Sequence, residues 1–494
     1  MTKNTCIISF RLCLIFLLLP SLPAWAENPA VDQAMAGIQA AIPTAQADPL
    51  RPVFHFRPPA QWMNDINGPI YYNNYYHIFY QHNPYGDQWG NMHWGHARSR
   101  DLLSWEHLPV ALWPSKEKGE EACFSGCSVI NPAGEPMLFY TSIGHVNAQQ
   151  WVALPADENW LTWKKHPDNP ILTDALHSPL SIPGWRDPFI FTHENQYFMV
   201  IGGGAPKVLL YQAENENLTQ WKYRGILFEH PDPKIAYNEC PAFFSLGKKW
   251  ILIISHDAIA EYFIGRFDPE EGKFLPEKQG LINHGKNFYA PTCMKDQNGN
   301  WILLGWWNGY DESRGGWPQN KGWNGCMTLP RILTLAPDLT LQQQPRPQLQ
   351  SLRNRHLSFP ESALDNRQQV FELEDLPCDT LEILARIQLN PHDRFTLDLF
   401  RSADGTRTIP ITYEKDELNI DGVKIPLPLP NDGQLCTLHI FRDKSVLEVF
   451  VNNCLCIARV ISPPNEDRGL AFSARNGKIL LKSLDIWQIN PVWP

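Results

Sequence analysis

Asp101-Leu102-Leu103-Ser104-Trp105, Asn159-Trp160-Leu161-Thr162-Trp163 and Asn217-Leu218-Thr219-Gln220-Trp221 are three versions of one phrase. Each runs polar, apolar, variable, polar, Trp, and the tryptophans fall 58 residues apart both times. A fixed period of that size, with room for several strands per unit, indicates a β-propeller. Strand-length aromatic and apolar runs repeat along the same region: Tyr75–Tyr80, Pro136–Tyr140, Gln196–Ile201, Trp250–Ser255 and Trp301–Trp306. Each is bounded by Gly, Pro, Asn or Asp and is β-prone in composition. Five runs imply five blades.

The chemically interesting positions keep the same rhythm. Asp65, Ser125, Asp187, Glu239 and Tyr289 follow one another at intervals of 60, 62, 52 and 50 residues. Each precedes one of the five runs, as expected for the innermost strand of a blade. Such strands converge on the propeller axis, so residues distant in sequence can surround one pocket. After Arg331–Leu335 the composition changes: 339–352 is rich in Gln and Pro and reads as a linker. The remainder, 353–494, alternates in the β manner and suggests a β-sandwich packed on the propeller, with no acid cluster of its own. The fold expected is therefore all-β, a propeller over 50–338 followed by a sandwich.

Residues 1–26 read as a secretory signal: Lys3 and Arg11, the apolar run Leu12–Leu19, then Ala24-Trp25-Ala26 ahead of Glu27. The run is short for a membrane span, and no cysteine follows the cleavage point to carry a lipid anchor. Residues 27–49 are Ala-rich and weakly patterned, a leader or arm. Export to the periplasm or the outside is the expectation. Of 11 cysteines, nine lie beyond the signal, so at least one is unpaired in a monomer. Cys240 is expected to be free, and neither Cys123 with Cys127 nor Cys454 with Cys456 comes with a second ligand pair for zinc. The formal charge of −10 argues against a nucleic-acid partner. Among 494 residues, 19 Trp offer flat apolar faces suited to sugars, although most are expected to pack between sheets.

Three acids stand in distinctive words: Trp62-Met63-Asn64-Asp65-Ile66-Asn67-Gly68-Pro69, Arg186-Asp187-Pro188 and Glu239-Cys240-Pro241. Alone, each reads as a turn residue, a structural ion pair or nothing in particular. Together, at the starts of separate aromatic-rich segments, they suggest glycosidic-bond cleavage by an acid and a nucleophile. Further words accompany them: Phe79–Pro84, Trp94-Gly95-His96-Ala97, Phe124-Ser125-Gly126, Asn287–Pro291, Gly305-Trp306-Trp307, Met327–Arg331 and Val446–Asn452. With these words, from about His55 to the C-terminus, the chain resembles glycoside hydrolase family 32, the invertases, inulinases and levanases that release fructose. It departs from the family pattern at Ile66 (usually Pro), Cys127 (commonly Ser) and Asn287 (often Asp), the last placing substrate preference rather than activity in question.

The resemblance implies a retaining β-fructofuranosidase acting on terminal fructosyl residues of sucrose or fructans, with no cofactor and no metal. It implies Asp65 as nucleophile, Glu239 as acid and base, and Asp187 as the acid that holds fructose hydroxyls and stabilises positive charge. The mechanism requires Asp65 ionised and Glu239 protonated at the start, which asparagine donors and an apolar, aromatic setting respectively would favour. Arg186 would orient Asp187 or simply pair with it. Asn64, Gln81, Trp89, Phe124, Ser125, Asn287, Tyr289 and Trp306 are candidates for holding the sugar, and Trp62 either does so or packs below the pocket. His55, His77, His82, His93 and His96 lack a metal-binding arrangement and take structural or loop roles. A fructosyltransferase with the same three acids is the alternative, and a non-catalytic sugar-binding protein a more distant one.

Overall fold

Each Trp of the repeated phrase opens the outermost strand of a blade. The computed structural model describes residues 28–493 apart from 205, 310–316, 318, 374, 375, 377, 465 and 476–478, so the signal segment lies outside the described residues. Blade I comprises Gln61–Tyr72, Tyr75–Asn83, His93–Ser99 and Trp105–Leu112. Blade II comprises Ala122–Ile130, Pro136–Ile143, Gln149–Pro155 and Trp163–Lys165. Blade III comprises Arg186–His193, Gln196–Gly204, Lys207–Ala213 and Trp221–Glu229. Blade IV comprises Tyr237–Leu246, Lys249–His256, Ile259–Asp268 and Lys273–Leu281. Blade V comprises Tyr289–Lys295, Trp301–Trp306, Arg331–Leu335 and Leu341–Pro345.

The phrase works as a turn. Asp101 Oδ1 accepts from the backbone N–H groups of Leu103 and Ser104, and Asp157 and Asn215 serve the next two turns in the same way. Leu102, Trp160 and Leu218 take the left-handed conformation (φ 68°, 59° and 54°), which aims the chain back along the blade. Asp338-Leu339-Thr340 repeats the device ahead of Leu341–Pro345, with Leu339 at φ 64° and Asp338 Oδ1 accepting from Thr340 N. The stretch read as a linker is therefore partly a blade strand, followed by the 3₁₀ helix Pro347–Leu352. Its glutamines misled: Gln343 is fully buried, with its amide bonded to Ile282 O and Arg331.

First strands of neighbouring blades contact one another around the ring, and Gln61–Tyr72 meets Tyr289–Lys295 to close it. The five aromatic runs prove to be second strands; the site positions lie on the innermost strands themselves. Aromatic side chains fill the space between blades, as where Phe243 stacks on Trp250 (4.9 Å) and meets Phe191 edge-on (5.0 Å). Pairs of this kind contribute about 0.5–1.5 kcal/mol each beyond burial.

The second half is a sandwich of two antiparallel sheets, one built on Thr380–Leu389 between Ile479–Ile489 and Gln434–Asp443, the other on Arg394–Arg401 and Gly469–Arg475. Along Thr380–Leu389, Leu381, Ile383, Ala385, Ile387 and Leu389 are all fully buried on one face, the period of two that a half-buried strand requires. Contrary to the sequence reading, this half does carry paired acids. Asp443 and Glu448 are buried at the junction with the propeller, where Asp443 accepts from the N–H groups of Val53, Phe54 and His55. Glu448 accepts from Leu329 N and pairs with Arg331 Nη2 at 3.0 Å, and His55 bridges both acids.

Residues 28–49 are more ordered than their composition suggests. Pro29–Gln46 is an α-helix whose Asn28 side chain caps the Ala30 N–H, with Pro at the first turn. It buries Ala34, Ile38 and Ala45 against blade I, with Val31, Met35 and Ile42 packed beside them, an apolar face at helical spacing that the alanine-rich composition masked.

Candidate active site

Every innermost strand carries a β-bulge at its site residue. Pairing with the second strand skips between Met63 and Ile66, Cys123 and Gly126, Glu239 and Ala242, and Tyr289 and Thr292, and blade III shifts between Arg186 and Phe189. A bulge frees two residues from the ladder and re-aims their side chains. In blades III to V the device is spelled alike: Arg186-Asp187-Pro188, Glu239-Cys240-Pro241 and Tyr289-Ala290-Pro291. The Pro has no N–H to give the ladder, and the residue before it is left-handed (Asp187 φ 66°, Cys240 φ 46°, Ala290 φ 46°). Positions equivalent in the repeat thus meet in space.

One set is Arg186, Glu239 and Tyr289. Arg186 Nη2 lies 2.5 Å from Glu239 Oε1, and the Tyr289 hydroxyl donates to Glu239 Oε2. The other set places Cys240 between two carboxylates, with Sγ 3.5 Å from Asp65 Oδ2 and 3.6 Å from Asp187 Oδ2, while its backbone N–H donates to Asp187 Oδ2 at 2.9 Å. Arg186 Nε stands 3.8 Å from Asp187 Oδ2, so this arginine serves both sets.

Asp65 has uncharged partners. Ser125 Oγ donates to its Oδ2 at 2.6 Å and Asn64 Nδ2 to its Oδ1 at 3.1 Å. Behind them, Gln81 Nε2 donates to Ser125 Oγ (3.1 Å) and to Cys123 O (3.2 Å), and Trp62 Nε1 donates to Asn64 Oδ1 (2.7 Å). Trp62 lines the cavity, packs edge-on against Trp306 at 5.8 Å, and aligns Asn64.

Burial is the main electrostatic influence. It pushes the Asp65 carboxyl up; the Ser125, Asn64 and Cys240 hydrogen bonds pull it back, and the Glu239 charge adds to the rise. Of the asparagine donors anticipated from the sequence, Asn64 reaches Asp65 while Asn67 turns to Gly126 N, and burial outweighs the donors present. Asp187 is lifted to about 7 by burial, against the pull of Arg186 and with the charges of Glu239 and Asp65 adding to it. Burial, then the Asp187 and Asp65 charges, hold Cys240 as a thiol, and burial with the Glu239 charge keeps Tyr289 a hydroxyl donor. The setting of Glu239 differs from the apolar one expected, because Arg186 and Tyr289 flank it.

The cavity at this end of the axis measures about 860 Å³ and brings together Trp62, Asn64, Asp65, Gln81, Trp89, Phe124, Ser125, Arg186, Asp187, Glu239, Tyr289 and Trp306. On the same axis beyond Asp187 and Cys240 the remaining space is only about 20 Å³, walled by Ile66, Phe189 and Pro241. The cavity is blind. Asn287 does not line it: the residue is buried, its Nδ2 donating to Asn308 O at 3.0 Å and its Oδ1 facing Val460 N at 3.5 Å. Asn308 lines the wall instead, as do Tyr237, Asp257, Ala258 and Lys286, which the sequence reading missed. Asp257 and Ala258 form a two-residue hairpin turn, both left-handed (φ 47° and 65°), between Lys249–His256 and Ile259–Asp268. A turn between two recognised strands was the available signal.

All nine cysteines beyond residue 26 are free, Cys240 included. One group among the described residues, His230, His256 and Glu261, has donors close enough to share a cation. His230 Nδ1 accepts from Asp232 N (3.0 Å), so the neutral ring carries its proton on Nε2, directed at Glu261 (2.9 Å). That lone pair is not offered to a metal, and the trio is a hydrogen-bonded bridge between blades III and IV. No helix among the described residues is long and apolar enough to cross a membrane.

A blind, aromatic-walled cavity with three carboxyls at the hub of a five-bladed propeller, beside a sandwich, is the architecture of a glycoside hydrolase. The family's N-terminal domain (Glycosyl hydrolases family 32 N-terminal domain) matches residues 55–345 and its C-terminal domain matches 348–488; the chain belongs to glycosyl hydrolases family 32. It is 31% identical over 477 residues to a sucrose-6-phosphate hydrolase of Escherichia coli, covering 89% of this chain and 94% of that one. A levanase of Bacillus subtilis (strain 168) is 31% identical over 504 residues, covering 90% and 71%. A β-fructofuranosidase of Bombyx mori, solved as a mutant with sucrose, superposes with a TM-score of 0.77 at 26% identity, covering 95% and 100%.

Proposed function

We propose that this protein is a retaining β-fructofuranosidase that removes terminal fructose from sucrose or a fructan. The observation that carries the reading is the unequal furnishing of two carboxyls in one blind cavity. Asp65 accepts only from uncharged donors, whereas Glu239 sits between a cation and a phenol. A carboxylate oriented by neutral donors is suited to attack carbon, and a group already held in a proton-sharing network is suited to move protons.

Asp65 attacks the anomeric carbon of fructose, and Glu239 gives its proton to the departing oxygen. A covalent fructosyl ester on Asp65 results. Glu239 then takes a proton from water, which displaces the ester at the same carbon, so two inversions leave the β configuration. Asp187, oriented by the Cys240 N–H and Arg186, holds sugar hydroxyls and offsets positive charge on the ring. Burial pushes the Asp65 carboxyl up and lifts Asp187 to about 7, so the pocket floor accommodates little further negative charge. Ser125, held by Gln81, and Asn64, held by Trp62, fix the nucleophile, while Trp89, Phe124 and Trp306 supply apolar faces for the sugar. The blind floor favours action on chain ends. We further propose that residues 1–26 direct export, so that this chemistry takes place outside the cytoplasm.

The test is product release from sucrose, inulin and levan by the purified protein, with Asp65→Asn alongside. Equal fructose and glucose from sucrose, lost in the variant, supports hydrolysis. Glucose in excess, with longer oligosaccharides, would mean transfer to sugar. No turnover of any of the three would refute the proposal.

A further inference from the structure

The helix Pro29–Gln46 lies ahead of the region matched by the family's N-terminal domain, yet it touches the active-site wall. The wall segment 84–92 joins Tyr75–Asn83 to His93–Ser99 in blade I and carries Trp89. Trp89 lines the cavity, is 60% exposed and meets Phe124 edge-on at 6.1 Å, so it stands at the mouth while the acids lie deeper.

Two glycines let the helix approach. A Cβ on Gly37, mid-helix, would lie 2.6 Å from Pro84 O and 3.0 Å from the Tyr85 ring, so nothing larger than hydrogen fits between helix and wall. Glycine is a poor residue inside a helix, and here close contact with the wall requires it. A Cβ on Gly322, which is left-handed at φ 71°, would lie 3.0 Å from Ala45 N. Beyond the helix, Asp48 Oδ2 accepts from Trp323 Nε1 at 3.0 Å.

The wall segment is tied to the same elements. Asp87 Oδ2 accepts from the N–H groups of Lys321 and Gly322 (2.8 and 3.0 Å), Gly86 O accepts from Trp62 N (3.1 Å), and Gln88 O accepts from Asn83 Nδ2 (2.8 Å). Helix, wall segment and the strand Trp323–Asn324 thus form a closed circuit ending at the Trp62 strand, which bears Asp65.

We propose that the helix is a brace that fixes Trp89 in its sugar-binding position, and that Gly37 is a positioning residue for substrate affinity. Its kinetic consequence rests on the fructosidase reading above; its mechanical consequence does not. The experiment compares wild type, Gly37→Ala, Gly37→Val, Trp89→Ala and the Gly37→Val/Trp89→Ala double variant in the full chain. Amide exchange of 84–92 is followed together with KM and kcat on sucrose or a fructan. A graded response is expected, Ala less than Val: exchange at 84–92 at least about tenfold faster with 243–254 unchanged, and KM raised about fivefold or more in Gly37→Val with kcat within about twofold. The double variant should have the KM of Trp89→Ala alone, as two changes on one path do not multiply.

Alanine is the better helix former, so a role confined to helix stability predicts slower or unchanged exchange in Gly37→Ala. That result would overturn the brace and remains readable if Gly37→Val fails to fold. Multiplying KM effects in the double variant would also overturn it. Failure of wild type to cleave any fructoside would refute the activity instead, leaving the exchange result to decide the brace.

Discussion

Raising the pH from 6 to 10 should cost this protein about 3 kcal/mol of folding stability through a single side chain, His55. Its ring is buried at the junction of propeller and sandwich, with Nδ1 2.9 Å from Asp443 Oδ2 and Nε2 3.2 Å from Glu448 Oε1. Burial alone would lower its pKa, but the two acids outweigh burial and push it up to about 9 from 6.5. A folded-state pKa above the unfolded one means that the proton stabilises the folded form. The contribution is complete below about pH 6.5 and is lost as pH rises through about 9. At 1.36 kcal/mol per pKa unit, the interval corresponds to about 3 kcal/mol. Urea unfolding of wild type and His55→Gln at pH values from 6 to 10 isolates the effect, since other titrations are common to both. The difference between the two should shrink by about 3 kcal/mol across that range. Parallel curves would refute the reasoning and would mean that His55 is neutral at this junction.

Two further outcomes follow from the cavity. Tyr289→Phe removes the hydroxyl donated to Glu239 Oε2 and should lower kcat/KM about 10- to 100-fold, the worth of a hydrogen bond to a charged group, with the fold intact by circular dichroism; a change below about twofold would contradict the role given to Tyr289. Asn287→Ala releases Asn308 O inside the structure and should cost about 1–2 kcal/mol in urea unfolding, with kcat on sucrose within about threefold of wild type; a collapse of kcat at unchanged stability would return Asn287 to the sugar.

The propeller was legible because its repeat is a chemical device. A turn acid or amide, a left-handed residue and a Trp opening the next strand recur in blades I to III, and blade V keeps the acid and the left-handed residue without the Trp. The three acids were legible from the words around them, and the structure brings them into one cavity with most of the residues expected to hold the sugar. What escaped has physical causes. The strand Leu341–Pro345 was hidden by glutamines whose amides are hydrogen-bonded inside the protein. The helix Pro29–Gln46 escaped because alanine dominates the composition of the segment, while its apolar face, Val31, Ala34, Met35, Ile38 and Ile42, shows only at helical spacing. The partners of Glu239 were hidden because Arg186 and Tyr289 reach it only through equivalent bulges on neighbouring blades, and the spelling x-Asp-Pro, x-Cys-Pro, x-Ala-Pro shows that equivalence only once the blades are aligned. Asp443 and Glu448 could not be paired with His55 across some 390 residues of sequence.

The central claim is that Asp65 forms a bond to fructose while Glu239 moves protons, and the anomer of the first product tests it most directly. Proton NMR during the first seconds of sucrose cleavage, before mutarotation, should show β-fructofuranose as the initial product. Initial α-fructofuranose would mean a single displacement by water, with Asp65 acting as a base, and would contradict the covalent account.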